Sequence, residues 1–228
     1  MKGGREGGAG SPWRGRRVLI TAGPTREYMD PVRFLTNASS GLMGFAVARA
    51  ARERGAAVTV VSGPVPAARP RGVRVVPVVT AAQMRRAALA LSPKADVFVA
   101  AAAVGDWRFE RLSPGKIKKT AAPLNVKLIP NPDILADVAR AAARRKRRPV
   151  LVGFALETSR RLVRAREKLE RKGLDLIVVN GPESLGSAKA RVAILDRFGK
   201  IETRGPASKP RAAAALLRRI EDFLGRRG

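Results

Sequence analysis

Runs of apolar and β-branched residues alternate with helix-like segments along most of this 228-residue chain. The runs are apolar throughout rather than at every second position, which is typical of parallel strands that helices cover on both faces. We therefore predict an α/β fold, a Rossmann-like three-layer sandwich with a mostly parallel sheet. The predicted strands are Val18–Ala22, Val58–Val61, Val73–Val78, Asp96–Ala101, Val150–Phe154 and Leu176–Asn180.

Helical periodicity and stop signals fill the intervals between these strands. Asn131 can cap one of the helices, with Pro132 at its first position. A turn at Gly199 predicts a small β-hairpin excursion near the end of the chain, made by Val192–Leu195 and Lys200–Thr203. The other predicted helices are Gly41–Arg54, Ala81–Leu91, Arg160–Lys172 and Lys209–Leu224.

Residues 1–16 are rich in glycine and basic residues, so we expect them to form a flexible basic tail. Residues 17–228 then form a single domain. No apolar run approaches the roughly 20 residues that a membrane-spanning helix needs, and no signal-peptide stretch opens the chain. We expect a cytoplasmic protein without a membrane partner.

The amino-acid composition excludes several catalytic mechanisms. Histidine and cysteine are both absent, which excludes a Ser-His-Asp triad, a thiolate nucleophile and a cysteine-ligated metal. The chain has 46 Lys and Arg residues against 18 Asp and Glu, a formal net charge of +28. This excess favours anionic partners such as nucleotides, other phosphates or nucleic acid.

Ligands of parallel sheets bind beyond the carboxyl ends of the strands. Here the long loop after the first strand ends in NASSG (residues 37–41), directly before a helix. Its small residues let backbone amides approach an anion at the helix N-terminus; the alternative is that Ser39 or Ser40 only caps the helix. No G-x-G-x-x-G follows the first strand, and the second ends in Ser62-Gly63 without an acidic residue, so NAD is disfavoured.

Two later segments carry further candidate chemistry. The fourth strand runs into AAAVGDW (residues 101–107), whose small side chains permit either close approach of a ligand or tight packing of a helix. Asp106 in this segment suits a ribose or a metal-bound phosphate. Lys116 opens KIKK (residues 116–119), which forms either a polyphosphate clamp or an ordinary solvated loop.

Several motifs together carry a family resemblance. In chain order they are ITAGPTRE, DPVRF, NASSG, AAAVGDW, KIKK, NPDIL, GFALET and DLIVVN. Over residues 17–225 the chain resembles phosphopantothenoylcysteine synthetase, which in many bacteria is the second half of a bifunctional coenzyme A biosynthesis protein. The resemblance implies a homodimeric ligase that joins 4′-phosphopantothenate to L-cysteine, with CTP as co-substrate and Mg²⁺ as cofactor.

The same resemblance implies a reaction in two steps. An acyl-cytidylate and pyrophosphate form first, and the cysteine amine then displaces CMP. Such chemistry needs charge neutralisation and positioning more than a histidine base. The flavin-binding decarboxylase half has no counterpart in this sequence, so we expect no FMN.

The resemblance also implies roles for individual residues. Asn37 and Lys116 match catalytic positions: Asn37 handles the intermediate, and Lys116 supports its formation. Leu42 stands where the family usually has a basic residue, and Phe154 fits a core aromatic residue equally well. Nucleotide contacts are implied for Asp106, Lys116, Pro132, Asp133, Ile134, Leu135, Phe154, Lys168 and Lys172. Contacts with phosphopantothenate are implied for Asn37, Ser39, Ser40, Gly41, Ala102 and Ala103. No metal ligands are identified.

Two other functions fit parts of the sequence. Leu42 suits a paralogue that binds nucleotide without ligase activity. The charge of +28 suits a basic nucleic-acid-binding protein, but it is spread along the chain, and aromatic residues make up only 4%. Without a nucleic-acid motif, the charge predicts incidental binding of polyanions. No identified side chain reads the base, so CTP and ATP both stay open, with the resemblance favouring CTP.

Overall fold

The computed structural model describes residues 10–184, 187 and 189–225. All six predicted central strands are present. The strands are β1 (Arg17–Ala22), β2 (Arg26–Tyr28), β3 (Phe34–Thr36), β4 (Ala57–Ser62), β5 (Arg74–Pro77), β6 (Val97–Ala100), β7 (Trp107–Phe109), β8 (Leu128–Pro130), β9 (Val150–Leu156), β10 (Leu176–Asn180), β11 (Lys189–Asp196) and β12 (Ile201–Ser208). The helices are α1 (Leu42–Glu53), α2 (Ala81–Leu91), α3 (Ile134–Ala143), α4 (Arg161–Arg171) and α5 (Lys209–Gly225).

The central sheet confirms the predicted α/β class. Its eight strands have the order β12-β11-β10-β9-β6-β1-β4-β5. The strands from β10 to β5 pair in parallel, while β11 and β12 form the predicted hairpin and pair antiparallel at one edge. Two further antiparallel hairpins, β2–β3 and β7–β8, form separate two-stranded sheets.

Helices cover both faces of the sheet because successive strand side chains point to opposite faces. Ile20 belongs to a buried cluster with residues of α1 and α5, whereas its neighbour Leu19 belongs to a second cluster with residues of α2, α3 and α4. The result is the predicted three-layer sandwich, with one core on each side of the sheet. No helix among the described residues is long and apolar enough to cross a bilayer.

The packed chain begins earlier than predicted. Residues 1–9 lie outside the described residues, but Trp13 is 0% exposed and belongs to the cluster with α1 and α5. Its Nε1 donates a hydrogen bond of 2.6 Å to Glu221, and the hydroxyl of Ser11 donates one of 2.9 Å to the carbonyl oxygen of Arg54. The predicted tail is therefore wrong for residues 11–16, because the burial of one large apolar side chain fixes this basic segment.

Replacing Trp13 with phenylalanine should lower the free energy of unfolding by about 1–2 kcal/mol. The phenyl ring keeps most of the apolar burial but loses the hydrogen bond to the Glu221 carboxylate. Urea denaturation measures the difference. Trp107→Phe is the matched control, since Trp107 is half exposed and should tolerate the change. An unfolding free energy equal to that of the wild type would contradict a role for Trp13 as an anchor.

Helix α3 begins later than predicted. Its N-cap is Asp133, whose carboxylate accepts a hydrogen bond of 3.0 Å from the backbone N–H of Ala136. The prediction that Asn131 caps this helix is wrong, because its side chain is bound to the carbonyl oxygen of Gly105 in the loop after β6. Pro132 consequently lies before the helix rather than at its first position.

Candidate functional site

Two adjoining cavities lie beyond the carboxyl ends of β1, β6, β9 and β10, at the edge predicted for ligand binding. The larger cavity has a volume of about 580 Å³ and the smaller one of about 150 Å³. Both are lined by Ala102, Ala103, Phe154 and Leu156. The larger cavity is also lined by Thr21, Asn37, Ala38, Ala100, Val104, Gly105, Asp106, Asn131, Pro132, Asp133, Ile134, Leu135, Lys168 and Lys172. The smaller cavity is also lined by Ser39, Ser40, Gly41, Leu42, Met43, Gly44, Ala101, Asn180, Ser184 and Lys209.

The first turn of α1 lines the smaller cavity. Gly41 is its N-cap, with a φ of 72°, a conformation that favours glycine, and no side chain caps the helix. The hydroxyl of Ser39 accepts a hydrogen bond of 3.3 Å from the amide of Gly41 itself. The alternative in which a serine only caps the helix is therefore not found. The amides of the first turn keep their capacity to bind an anion.

Asn37 ties the loop after β1 to the segment after β6. Its Nδ2 donates hydrogen bonds to the carbonyl oxygens of Ala103 and Val104, at 3.3 and 3.0 Å. Both amide hydrogens are thus used, which fixes the orientation of the side chain. Oδ1 is left as its remaining hydrogen-bonding atom, and it is an acceptor.

Asn131 holds the loop that carries Asp106. Its Nδ2 donates a hydrogen bond of 2.9 Å to the carbonyl oxygen of Gly105, and its backbone N–H donates one of 2.7 Å to that of Asp106. The carboxylate of Asp106 is exposed and forms no hydrogen bond or ion pair with a described residue. It suits a ribose hydroxyl or a magnesium ion.

Two lysines at the end of α4 supply the positive charge of the larger cavity. Lys168 Nζ donates a hydrogen bond of 2.9 Å to the carbonyl oxygen of Phe154, and Lys172 Nζ lies 2.5 Å from Oδ2 of Asp133. The two positions are four residues apart, so they share one face of the helical segment. Both lysines line the larger cavity.

Burial and charge shift the pKa values of this group. Burial lowers the pKa of Lys168, and the positive charge of Lys172 lowers it further. Burial acts to raise the pKa of Asp133, but the hydrogen bonds from Lys172 and the Ala136 amide, with the two lysine charges, outweigh it and lower that pKa. Asp133 is therefore ionised at neutral pH and pairs with Lys172. Lys168 loses its proton at a lower pH than an ordinary lysine.

Comparison with known proteins decides the family. Residues 13–224 match the family described as DNA/pantothenate metabolism flavoprotein C-terminal domain. The chain belongs to this family. A crystal structure of the C-terminal domain of coenzyme A biosynthesis bifunctional protein CoaBC is similar to this member of the family, with a TM-score of 0.81 and 34% identity. The match covers 95% of this chain and 99% of that one.

Curated relatives include longer proteins. The coenzyme A biosynthesis bifunctional protein CoaBC of Haemophilus influenzae is 46% identical over 167 residues, which are 73% of this chain and 41% of that protein. The CoaBC of Escherichia coli K12 is 49% identical over 166 residues, 72% of this chain and 40% of that protein. This member of the DNA/pantothenate metabolism flavoprotein C-terminal domain family thus spans less than half the length of these curated relatives.

The structure brings the predicted site residues together with one exception. All of them line one of the two cavities except Lys116, which is exposed in the connection between β7 and β8. The amide of Ile117 donates a hydrogen bond of 3.2 Å to Asp30, which Arg33 also holds through a 2.9 Å hydrogen bond. This loop is therefore anchored to the turn between β2 and β3, and the nucleotide contact of Lys116 stays a prediction.

Several residues of the cavities were missed by sequence reasoning. Asn131 looks like a helix cap, and Lys209 looks like the start of an amphipathic helix. Their positions at the cavities depend on contacts that the local pattern does not contain. Only Lys209 could have been noticed from the sequence. A lysine at the first position of a helix is unfavourable, because its charge opposes the helix dipole, and this indicates a role other than helix formation.

The number of available carboxylates limits how the predicted magnesium ion could be bound. Among the described residues, no group of three or more acidic side chains could hold a metal ion. Asp133 is paired with Lys172, which leaves Asp106 as the available carboxylate of the larger cavity. This set fits Mg²⁺ that is bound mainly by substrate phosphates and by one carboxylate, rather than by a protein cage.

Replacing Asp133 with alanine should lower the free energy of unfolding by about 1 kcal/mol, because α3 loses its N-cap. Asp133→Ser is the matched variant: a serine hydroxyl also caps helices, so it should stay within about 0.5 kcal/mol of the wild type. Urea denaturation of the three proteins measures both effects. Equal stability of the alanine variant and the wild type would show that the cap contributes nothing.

Proposed function

We propose that this chain is a CTP-dependent ligase that joins 4′-phosphopantothenate to L-cysteine and forms 4′-phosphopantothenoylcysteine. The observation that carries this proposal is the pair of adjoining cavities in a chain of this family. One contains two lysines suited to a triphosphate, and the other contains an uncapped helix N-terminus suited to a phosphate. The coenzyme A biosynthesis proteins at 46% and 49% identity support the same chemistry.

In the first step, a carboxylate oxygen of phosphopantothenate attacks the α-phosphorus of CTP. A bond forms between that oxygen and the phosphorus, and the bond to the bridging oxygen breaks, which releases pyrophosphate. Lys168 and Lys172 neutralise the triphosphate, whose charge otherwise repels the carboxylate. These bond changes need no proton transfer, which agrees with a chain that has no histidine.

In the second step, the amine of cysteine attacks the acyl carbon of the acyl-cytidylate. A C–N bond forms, the C–O bond to CMP breaks, and the phosphate of the departing CMP takes the proton of the amine. Oδ1 of Asn37 accepts a hydrogen bond from the attacking amine and orients it. The two hydrogen bonds that fix the Asn37 side chain hold this acceptor in place.

The remaining residues of the larger cavity complete the nucleotide site. Asp106 is the residue that would hold Mg²⁺, which adds further neutralisation of the phosphate charges. Phe154 and the segment from Pro132 to Leu135 surround the nucleotide. Lys116 joins them in this proposal only if the loop between β7 and β8 reaches the bound triphosphate.

The proposed enzyme is a homodimer. Apolar side chains remain exposed on the hairpins β2–β3 and β7–β8, among them Phe34, Leu35, Trp107 and Leu128. A group of exposed apolar residues is typical of a surface that a partner covers. Analytical ultracentrifugation should give twice the mass of the chain, and a monomer at micromolar concentration would overturn the dimer.

An assay with CTP, L-cysteine, 4′-phosphopantothenate and Mg²⁺ tests the ligase. We expect pyrophosphate and the amide product in equal amounts, with CTP preferred in a panel of nucleoside triphosphates. Absence of both products would overturn the ligase function. Nucleotide binding without turnover would favour the inactive paralogue, and DNA binding that disappears at moderate salt would show that the basic charge is incidental.

A further inference from the structure

A basic cavity lies at the end of the sheet opposite to the proposed nucleotide site. It has a volume of about 700 Å³, and the described residues that line it are all cations: Lys146, Arg147, Arg148 and Arg197. Arg148 comes shortly before the amino end of β9. Arg197 directly follows β11, whose last residue pairs with the first residue of β10. The volume is in the usual range of ligand pockets, and the charge of the walls favours an anion.

A single buried carboxylate holds two of these cations. Asp175 is 0% exposed, and its Oδ1 lies 2.5 Å from Nη2 of Arg148 and 3.1 Å from Nη1 of Arg197. Nη1 of Arg148 also donates a hydrogen bond of 3.1 Å to the carbonyl oxygen of Gly173. The guanidinium of Arg197 lies over the ring of Phe198, 5.0 Å from its centroid. The two guanidinium groups are thus held side by side in advance, so an anion that binds them has little left to order.

The turn that carries the other two cations is anchored as well. Arg145 donates hydrogen bonds to the carbonyl oxygens of Ser92 and Pro93, which follow α2. Lys146 and Arg147 come next in the chain and are exposed, and neither forms a hydrogen bond or an ion pair with a described residue. Their charges are therefore available to a ligand at a fixed place on the surface.

The charges around this cavity do not balance. Four cations line it and Asp175 compensates one of them, which leaves three positive charges close together. Like charges at this range repel each other, and solvent screens only part of the repulsion. A single phosphate group brings about two negative charges at neutral pH, whereas two or three linked phosphates bring about three to four. The excess charge therefore matches linked phosphates better than a single phosphate.

We propose that this basic cavity binds a ligand with two or three linked phosphates, separately from the catalytic site. The planar forks of Arg148 and Arg197 suit the oxygens of neighbouring phosphate groups. The same phosphate chemistry occurs in nucleoside diphosphates and triphosphates and in inorganic polyphosphate. None of the four lining residues lines either cavity of the proposed ligase site, so this inference does not rest on the ligase function.

Isothermal titration of the complete chain with inorganic tripolyphosphate tests the proposal. Salt at about 150 mM screens binding to scattered surface charges. The double substitution Lys146→Gln with Arg147→Gln removes two exposed charges of the basic cavity. We expect the affinity of one tripolyphosphate per chain to fall at least tenfold, the effect of losing charge-assisted contacts.

The matched control removes two positive charges elsewhere. Arg69 and Arg71 are exposed in the connection between β4 and β5, and neither lines the basic cavity. Arg69→Gln with Arg71→Gln should bind tripolyphosphate as the wild type does. Unchanged binding by the variant of Lys146 and Arg147 would overturn the proposal. Equal weakening in both double variants would overturn it too, since that result indicates an effect of net charge alone.

Lys168→Met separates the basic cavity from the proposed nucleotide site. This substitution should remove tripolyphosphate from the nucleotide site and leave the tripolyphosphate of the basic cavity in place. If only the variant of Lys146 and Arg147 loses a tripolyphosphate, the triphosphate site of the ligase fails and the basic cavity stands. If only Lys168→Met loses one, the basic cavity fails and the ligase site stands.

Further titrations of Lys168→Met identify the source of the phosphates. Tighter binding of ATP than of tripolyphosphate at the basic cavity would assign the site to a nucleotide. Equal affinities would show that the linked phosphates alone are recognised, as in inorganic polyphosphate. A duplex oligonucleotide that displaces tripolyphosphate and binds more tightly at the same salt concentration would overturn a small-ligand site in favour of nucleic acid.

Discussion

Replacing Lys168 with methionine should lower kcat/KM for CTP about 100-fold, since one preorganised positive charge toward the triphosphate is lost. The side chain is partly buried and is oriented by its hydrogen bond to the Phe154 carbonyl oxygen. The initial rate of pyrophosphate release measures the effect. Arg171→Met, an exposed position on the same helix, is the matched control and should keep wild-type rates. A value for Lys168→Met within about threefold of the wild type would remove this lysine from the site.

The lowered pKa of Lys168 gives the same prediction a pH dependence. Since the free enzyme loses this proton at a lower pH than an ordinary lysine, kcat/KM for CTP should decline on the alkaline side before pH reaches the usual lysine range. Arginine stays protonated throughout that range. Lys168→Arg should therefore move the alkaline decline to higher pH, even where its maximal rate is reduced. Superimposable profiles would assign the decline to another group.

Replacing Asn37 with aspartate should lower the rate of amide formation about 100-fold or more. The two Nδ2 hydrogen bonds to the carbonyl oxygens of Ala103 and Val104 become contacts between a carboxylate and two acceptors, which repel each other. The side chain then turns away, and its acceptor no longer meets the cysteine amine. The first step does not use that acceptor, so pyrophosphate should appear in a burst of one equivalent per site while the amide lags behind.

Rapid-quench measurement of both products tests the Asn37 prediction. Asn125→Asp makes the same chemical change at an exposed position outside the two cavities, and it should not affect either product. Thermal unfolding of the Asn37 variant measures separately the stability lost with the two hydrogen bonds, which should be small because the side chain is exposed. Amide formation at the wild-type rate by Asn37→Asp would exclude this residue from the second step.

The central sheet was predictable because its strands are apolar along their whole length. The first strand is observed at Arg17–Ala22, one residue longer than predicted, and Leu176–Asn180 agrees at both ends. The hairpins β2–β3 and β7–β8 were not predictable in this way. Strands of three residues, such as Arg26–Tyr28, are too short to show a period of two, and their pairing depends on the loops around them.

The site was predictable to the extent that it follows from strand ends and motifs. The place of Asn131 in the site was not predictable, because its hydrogen-bond partner, Gly105, lies 26 residues away in the chain and local sequence patterns do not reveal such a contact. Lys209 escaped because burial of a lysine depends on tertiary packing. Lys116 shows the converse: its motif is recognisable from local sequence, but its position is not. Its loop is held by a hydrogen bond between Ile117 and Asp30, which lie 87 residues apart in the chain.

The anchoring of Trp13 determines how the protein can be coupled to other materials. The amino end of β1 lies on the side of the sheet opposite to the two cavities. Trp13, in the turn before β1, fixes that turn against α5. A fluorophore, an affinity tag or a chip linker attached at Gly10 is therefore on the side of the molecule opposite to the cavities. Immobilised through that end, the protein presents both cavities to the flowing solution, so surface plasmon resonance can follow nucleotides as they bind.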